Sequence, residues 1–399
     1  MERKWLPKEM PKLSVEDLKK EKPTEQKGPV EMGADVADYK LTAEQAMSNP
    51  SIAELTKISG IGPAMAQRLY DAGYDLDAIG TGRPDEIGGV MKVGYSIAKG
   101  WVMAAQELML GDMSLMKIGA LDDLKKSKVF QFKTGSSLIN GMLGGGVSTW
   151  AITGLSGPLA TGKTMVCEDV IVDALNETGK NYTCPKCYIK IPKLTKCPKC
   201  GVMSAPIQAV FIETEPDTLH LERLKEIAKF KGYNCNWDNL YVCPAHQIPT
   251  MKAQFLQYKL IQKEMEKGAN IHLICVDSFN SKLRAGWSRS EMLPIRTREI
   301  AEHFNLIEHM ACKYNIAWLL TCQVITAPRP EMQHSAEAKY GSKFYPIGGD
   351  LLLHSVNQWL AFTQTSGEGY EATLFDSSYL PKKTVNFRLT NKGLQDGVA

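Results

Sequence analysis

The sequence has no uninterrupted run of about 18 apolar residues, the length that a membrane-spanning helix requires. Its first residues, Met1–Pro7, lack the apolar stretch of a secretory signal peptide. The formal net charge is only +3 over 399 residues, so any contact with nucleic acid must come from local patches. These absences predict a cytoplasmic protein without a membrane partner.

A disulfide framework is also absent. Six of the ten cysteines are scattered, mostly in apolar runs, which indicates a reducing compartment. The other four form two Cys-x-x-Cys knuckles, which can place four thiolates tetrahedrally around Zn²⁺. Iron and a redox dithiol are the alternatives. The predicted metal ligands are Cys184, Cys187, Cys197 and Cys200.

The knuckles lie in a predicted zinc-binding insertion, residues 181–206. We interpret the site as a structural staple for an inserted loop. The alternative is a functional basic patch for DNA or a partner, built from Lys186, Lys190, Lys193, Lys196 and Lys199.

What is present divides the chain into four parts. Residues 1–45 are rich in Lys, Glu and Pro and are predicted to be a disordered tail. Residues 46–112 have a helical pattern with short glycine breaks, and residues 113–133 form a linker with one short helix. From 134 to 399, apolar β-like runs alternate with helical patterns, which predicts an α/β core with a mostly parallel sheet.

The first glycine break has the pattern of a helix hairpin. Gly60 and Gly62 permit a tight turn, and Pro63 suits the first turn of the next helix. The free N–H groups of such a turn can hold a DNA phosphate, although a plain helix–helix turn would have the same pattern. A degenerate second copy is predicted at residues 92–95.

The strongest motif is a phosphate-binding loop, G-x-x-x-x-G-K-[ST], between an apolar strand and a helix. Its glycines let the backbone wrap phosphates, its lysine supplies charge to them, and its threonine offers a hydroxyl to Mg²⁺. The motif runs from Gly157 through Thr161, Gly162 and Lys163 to Thr164. The sequence therefore predicts ATP and Mg²⁺ as ligands.

Two apolar strands downstream end in acids. The first ends in Asp277, the expected partner of the loop on the Mg²⁺ side. The second carries Glu213 and Glu215, either of which could orient or deprotonate the attacking water.

Together with Phe132–Ser136 (FKTGS) and Met142–Val147 (MLGGGV), these motifs resemble the RadA recombinases of archaea and their eukaryotic relatives. The resemblance covers residues 46–397 apart from the insertion. It implies a RecA-like P-loop ATPase core preceded by a small all-α helix-hairpin-helix domain. It also implies a DNA-dependent ATPase that forms filaments on single-stranded DNA and exchanges strands with double-stranded DNA. Further copies in a helical filament or ring, recombination mediators and a nucleoid-associated location are expected.

The resemblance also assigns roles at the nucleotide. The family's Thr-Glu pair selects Glu215 as the catalytic glutamate, and Gln323 would sense the γ-phosphate. Arg223 would pack near adenine. His354 and Asp376 would reach the ATP of the neighbouring subunit.

For DNA, the resemblance points to Arg284, Arg289 and Arg296 in and after a first loop that opens at Leu283, and to a second loop at about 324–347. For assembly, the family's Phe-x-x-Ala anchor aligns with Met116 and Gly119, which predicts a weaker contact. Ser378 stands where the family has a proline, and residues 363–368 stand where the family has a basic stretch.

Two other classes of protein remain as alternatives. One is a RecA-fold mediator or ring-forming DNA motor. The other is a non-catalytic DNA-binding scaffold, which would have a damaged phosphate loop or no glutamate, and neither defect is seen.

Overall fold

The computed structural model describes residues 49–112, 115–177, 182–286, 293–326, 344–365 and 369–397. The predicted tail, residues 1–45, lies outside them. Within these ranges, no helix is both long enough and apolar enough to cross a membrane.

A small helical domain comes first. Its helices are α1 (Pro50–Leu55), α2 (Pro63–Asp71), α3 (Leu76–Thr81), α4 (Pro84–Met91) and α5 (Tyr95–Asp112). Proline opens three of them, where its missing N–H costs nothing. Two hairpins follow the predicted glycine breaks: Gly60 adopts φ +87° before α2, and Lys92 adopts φ +55° before α5.

The linker contains α6 (Ile118–Lys128), which buries none of its residues. The core was predicted to begin at 134, but Phe130 and Phe132 are already buried in it. They are held there because β1 (Gln131–Phe132) pairs antiparallel with β2 (Val147–Ser148). The apolar core therefore starts a few residues earlier than the sequence pattern indicated.

The core is built on a sheet of nine described strands, ordered β16-β15-β14-β13-β3-β10-β9-β7-β8. The strands from β13 to β8 are parallel, and β14 to β16 extend the sheet as antiparallel neighbours. Their bounds are β3 Ala151–Ser156, β7 Gln208–Glu213, β8 Leu240–Cys243, β9 Ile271–Asp277, β10 Ala317–Cys322, β13 Gln358–Gln364, β14 Tyr370–Ser377, β15 Lys383–Thr390 and β16 Gly393–Asp396.

Helices cover both faces, and each face has its own apolar cluster. One cluster packs against α8 (Lys163–Ala174) and α9 (Leu221–Lys231), and the other against α10 (Met251–Glu266) and α12 (Leu293–Lys313). The shorter helices are α7 (Ser137–Met142), α11 (Ser281–Gly286) and α13 (Asp350–His354). A separate two-stranded ribbon joins β11 (Val324–Thr326) to β12 (Phe344–Pro346).

The insertion forms its own three-stranded sheet from β4 (Tyr182–Thr183), β5 (Lys190–Ile191) and β6 (Ala205–Pro206). It docks on the amino end of β9, where the Thr183 hydroxyl lies 2.7 Å from Asn270 Oδ1 and 2.8 Å from His272 Nε2. The Tyr188 ring packs edge-on against those of His272 and Tyr314.

The helical domain contacts the same end of the core. The Tyr70 hydroxyl donates to Glu266 Oε2 at 3.0 Å, and the Tyr314 hydroxyl donates to Glu266 Oε1 at 3.4 Å. Lys313 lies 3.6 Å from the carboxylates of both Asp75 and Asp77. The helical domain and the insertion are therefore neighbours across Glu266 and Tyr314.

Candidate nucleotide-binding site and cysteine cluster

The phosphate loop connects β3 to α8 and lines a cavity of about 890 Å³. A side chain at Gly157 would place its Cβ 2.4 Å from the Phe362 carbonyl oxygen, so only glycine fits there. Gly162 has φ +91° at the start of α8, which also favours glycine. The loop therefore presents backbone, rather than side chains, to the cavity.

Lys163 lies at the first turn of α8. Its ammonium group donates to the carbonyl oxygens of Gly157 at 2.8 Å and Pro158 at 2.6 Å. Burial lowers the pKa of Lys163, and the carboxylates of Asp277 and Glu215 oppose that shift. The lysine is the cationic group of the loop, and a bound phosphate would compete with these carbonyl oxygens for it.

The predicted Mg²⁺ side of the cavity is formed by the start of α8 and the carboxyl ends of β9 and β10. The Thr164 hydroxyl donates to Asp277 Oδ2 at 2.7 Å, and the Thr321 hydroxyl donates to Asp277 Oδ1. Asp277 ends β9, which is buried along its whole length. A hydroxyl and a carboxylate in contact are the hard oxygen ligands that Mg²⁺ prefers, so these residues fit the ion.

The two candidate glutamates have different surroundings. Glu213 Oε1 accepts the backbone N–H of Thr218 at 2.8 Å, which engages it in the loop that follows β7. Glu215 lines the cavity and accepts a hydrogen bond from the Gln323 side-chain amide. Gln323 lines the same cavity, so the geometry favours Glu215 over Glu213.

Sequence reasoning missed Asn280, which is completely buried beyond the end of β9. Its Oδ1 accepts the Gln323 N–H at 2.8 Å, and its amide donates to the Gln323 carbonyl at 2.9 Å and the Ile347 carbonyl at 2.8 Å. Asn280 thus connects Gln323, which lines the cavity, to Ile347, at the end of the predicted second DNA loop, by hydrogen bonds. A single asparagine belongs to no motif, and its partners are 43 and 67 residues away.

Arg223, predicted near adenine, lies at the edge of this site. It donates to the Thr390 carbonyl at 2.6 Å, and its Nε lies 3.6 Å from Glu168 Oε2. Glu168 lines the cavity and was not predicted from the sequence. Burial raises the pKa of Glu168 to about 7, and the Arg223 guanidinium opposes the shift.

His354 and Asp376 are exposed and do not line the cavity of their own chain. His354 ends α13, and Asp376 lies on β14. Their exposure is compatible with contacts to a neighbouring subunit.

The predicted DNA and interface residues are spread over the surface. Gly60 and Gly62 form the turn before α2, and Arg296 is half-buried on α12, near Gly349. Arg289 and the side chain of Arg284 lie outside the described residues. Met116 is exposed and Gly119 has open space around it.

The four knuckle cysteines come together as predicted. Their sulfur atoms all lie within 4.8 Å of one another, and Cys184 Sγ is 3.4 Å from Cys200 Sγ. Zn–S bonds of about 2.3 Å would place tetrahedral sulfurs about 3.8 Å apart, so the cluster fits Zn²⁺. Backbone N–H groups of Cys187 and Lys199 point to Cys184 Sγ at 3.3 Å and Cys197 Sγ at 3.4 Å.

Comparisons with known proteins agree with this arrangement. A model of the Rad51 family matches residues 125–193 and 194–397, and a model described as a SAM-like helix-hairpin-helix tandem matches residues 52–107. A DNA repair and recombination protein RadA from Methanococcus voltae is 28% identical over 347 residues, which cover 86% of this chain and 99% of that protein. The RadA of Metallosphaera sedula is 27% identical over 355 residues, 89% of this chain and 99% of its own length. The tandem match includes the predicted second hairpin, and the two Rad51 segments meet inside the insertion.

Proposed function

Because this chain belongs to the Rad51 family of RecA-like recombinases, which are DNA-dependent ATPases, we propose that Glu215, Lys163 and Gln323 carry out ATP hydrolysis in the cavity at the carboxyl ends of β3, β9 and β10. The observation that carries this assignment is the contact of Gln323 with Glu215 inside the cavity. A glutamate there is placed to act on water near the γ-phosphate.

In this proposal, the N–H groups of the phosphate loop and the Lys163 ammonium bind the β- and γ-phosphates. Thr164 and Asp277 would hold Mg²⁺, which would supply positive charge that offsets the charge of the phosphates. Glu215 accepts a proton from the water that attacks the γ-phosphorus, while the bond to the bridging oxygen breaks and ADP leaves. Gln323 reports the state of the γ-phosphate to the second DNA loop through Asn280.

The exposed residues complete the site between subunits. His354 and Asp376 would contact ATP bound to the neighbouring chain, and Arg223 would pack near its own adenine. Met116 would anchor the assembly, with Leu115 and Ile118 forming a larger exposed apolar surface beside it. The loop arginines Arg284, Arg289 and Arg296 would hold the DNA backbone, and the Gly60–Gly62 turn would hold a phosphate. A contact with recombination mediators stays a prediction.

The glutamate assignment is tested by comparing Glu215→Gln with Glu213→Gln in single-stranded DNA-stimulated ATPase assays. Glu215→Gln should retain ATP binding but slow hydrolysis by at least about 100-fold, since a general base contributes about 10²–10⁴-fold. Glu213→Gln should hydrolyse ATP at close to the original rate, and Lys163→Ala should lose nucleotide binding. A slow Glu213→Gln beside a normal Glu215→Gln would reverse the assignment.

The cysteine cluster is proposed as a structural Zn²⁺ site. Elemental analysis should find about one Zn²⁺ per chain. Cys187→Ser/Cys200→Ser should lose the metal, whereas Cys235→Ser/Cys312→Ser should keep it, since those two cysteines lie outside the cluster. Iron instead of zinc, or no metal at all, would contradict the proposal.

A further inference from the structure

The insertion concentrates positive charge in a short segment, residues 186–199. The whole sequence balances 47 basic residues against 44 acidic ones, but no acid occurs between Glu177 and Glu213. Five lysines lie in the insertion, residues 181–206, and all five are exposed. We call them the insertion lysines: Lys186, Lys190, Lys193, Lys196 and Lys199.

The end of the linker extends this surface. Lys190 Nζ lies 3.4 Å from the Lys126 carbonyl oxygen and 5.4 Å from the centre of the Phe130 ring. Lys128 is close enough to Lys199 for that ammonium group to lower the Lys128 pKa, in addition to the larger effect of burial. Among the described residues no acidic side chain forms an ion pair with an insertion lysine, whereas in the linker Lys126 pairs with Asp122 at 2.6 Å. A zinc–tetrathiolate centre of net charge about −2 would still leave the insertion positive.

The position of this surface separates it from the predicted DNA loops. The first and second loops follow the carboxyl ends of β9 and β10, whereas the insertion docks at Asn270 and His272 on the amino end of β9. Seven residues of strand separate these ends, a distance of about 20 Å. The two surfaces therefore face different sides of the core.

We propose that the insertion lysines form an additional DNA-binding surface that holds the phosphate backbone of double-stranded DNA without reading its sequence. Lysine is a point charge on a flexible stem, and no arginine occurs in the insertion to make bidentate contacts with bases. Such a surface gains its affinity from counterion release.

The aromatic residues favour duplex DNA over single strands. Single-strand sites combine basic grooves with exposed rings on which bases stack. Both tyrosines of the insertion are only partly exposed, and Tyr188 is packed against His272 and Tyr314. The insertion therefore offers charge without a stacking platform.

The neighbouring domain supports the same partner. Contacts through Tyr70, Glu266 and Tyr314 place the helix-hairpin-helix domain beside the insertion at one end of the core. The helix-hairpin-helix domain and the insertion therefore share one end of the core. The chain's own tail is a poor alternative occupant, because residues 1–48 carry nine basic and ten acidic residues in near balance.

The test measures binding of the full chain to a labelled 30-base-pair duplex, without nucleotide, over a series of salt concentrations. Lys186→Gln/Lys193→Gln/Lys199→Gln should weaken binding at least tenfold at low salt. It should also lower the slope of log K against log salt by about 2 to 3, since each phosphate contact contributes about 0.9. The matched control, Lys225→Gln/Lys229→Gln/Lys392→Gln, removes the same charge from exposed lysines on and beside α9, and it should leave the slope unchanged.

Further measurements test whether a weaker binding has another cause. Zinc content and thermal unfolding report whether the triple variant is folded. If it is unfolded, the double variant Lys193→Gln/Lys196→Gln, whose two changes lie outside both knuckles, is used in its place. The Lys163→Ala protein should bind the duplex normally without nucleotide, so failure of the proposed ATPase roles would not affect this test. An equal loss of duplex affinity in the insertion-lysine and control variants, or an unchanged salt slope in the insertion-lysine variant, would overturn the proposal. Preferential binding of poly-glutamate over duplex would identify an acidic protein partner and overturn it too.

Discussion

At the scale of single residues, Asn280 connects the nucleotide cavity to the base of the second loop. We expect Asn280→Ala to reduce the stimulation of ATPase by DNA at least tenfold, because Gln323 and Ile347 lose their common partner. ATP affinity should change little, because Asn280 does not line the cavity. ATPase rates with and without single-stranded DNA, together with nucleotide titrations, measure the two effects.

Asn270 provides the matched control, because it is also buried and hydrogen-bonded, at the opposite end of β9. Asn270→Ala should lower stability by a similar amount, about 1–3 kcal/mol for each unsatisfied buried group. It should leave the stimulation by DNA intact. If both variants lose stimulation equally, Asn280 acts through general stability and the proposed connection is wrong.

At the scale of elements, the docking of the insertion depends on a neutral histidine. His272 is fully buried, and burial lowers its pKa to about 4, against the weaker opposing effect of the hydrogen bond that its Nδ1–H donates to the Asn315 carbonyl oxygen. In the unfolded state, His272 therefore binds a proton below pH ~6.5. In the folded state, it binds the proton only at about pH 4 and below. The stability that His272 contributes is present above pH ~6.5 and is lost as the pH falls towards 4.

We expect His272→Gln to flatten the decline in stability between pH 7 and pH 5, measured by urea unfolding. At about 1.4 kcal/mol per pH unit below pH ~6.5, the effect is about 2 kcal/mol at pH 5 and on the order of 3 kcal/mol near pH 4. Some decline should remain, because burial also lowers the pKa of His303 to about 4. His246→Gln, at an exposed position, should not alter the decline. An unchanged slope in His272→Gln would show that His272 is not a source of acid sensitivity.

The linker element carries the assembly prediction. Met116→Asp should dissociate the assembly while the chain stays folded, because burying a Met side chain contributes about 1.5–3 kcal/mol. Light scattering and sedimentation with single-stranded DNA and a non-hydrolysable ATP analogue measure the effect. Ile118→Asp is a second probe of the same exposed surface. If both variants assemble normally, the subunit contact lies outside the linker.

At the scale of the whole molecule, the proposed active site is shared between subunits. Lys163→Ala inactivates the phosphate-loop side of each shared site, and His354→Ala inactivates the side that the neighbouring subunit contributes. In a 1:1 mixture about one interface in four joins two intact sides, so ATPase should recover to about a quarter of the original rate. Mixing Lys163→Ala with Glu215→Gln should give no recovery, because both changes affect the same side. Absence of recovery in the first mixture would show that His354 does not act across the subunit boundary, and full activity of His354→Ala alone would place His354 outside the active site.

Sequence patterns specified the parts of this molecule that act locally. The phosphate loop, the acid that ends β9 and the paired knuckles all depend on residues close together in the chain, so spacing alone predicted them. The choice of Glu215 over Glu213 needed the family resemblance, because both follow the same strand. Asn280, Glu168 and His272 were missed because their roles depend on partners far along the chain. The strand order could not be predicted from the sequence either, because it depends on pairing between strands that are far apart in the chain.

The insertion and the nucleotide cavity occupy opposite ends of the same two strands, β7 and β9. This separation offers a convenient point of attachment. A biotin-acceptor peptide placed between the knuckles, in the exposed segment 192–196, would hold the chain on a coated surface by the side away from ATP. A molecule tethered in this way would keep its nucleotide cavity facing the solution, where it could bind ATP and a neighbouring subunit.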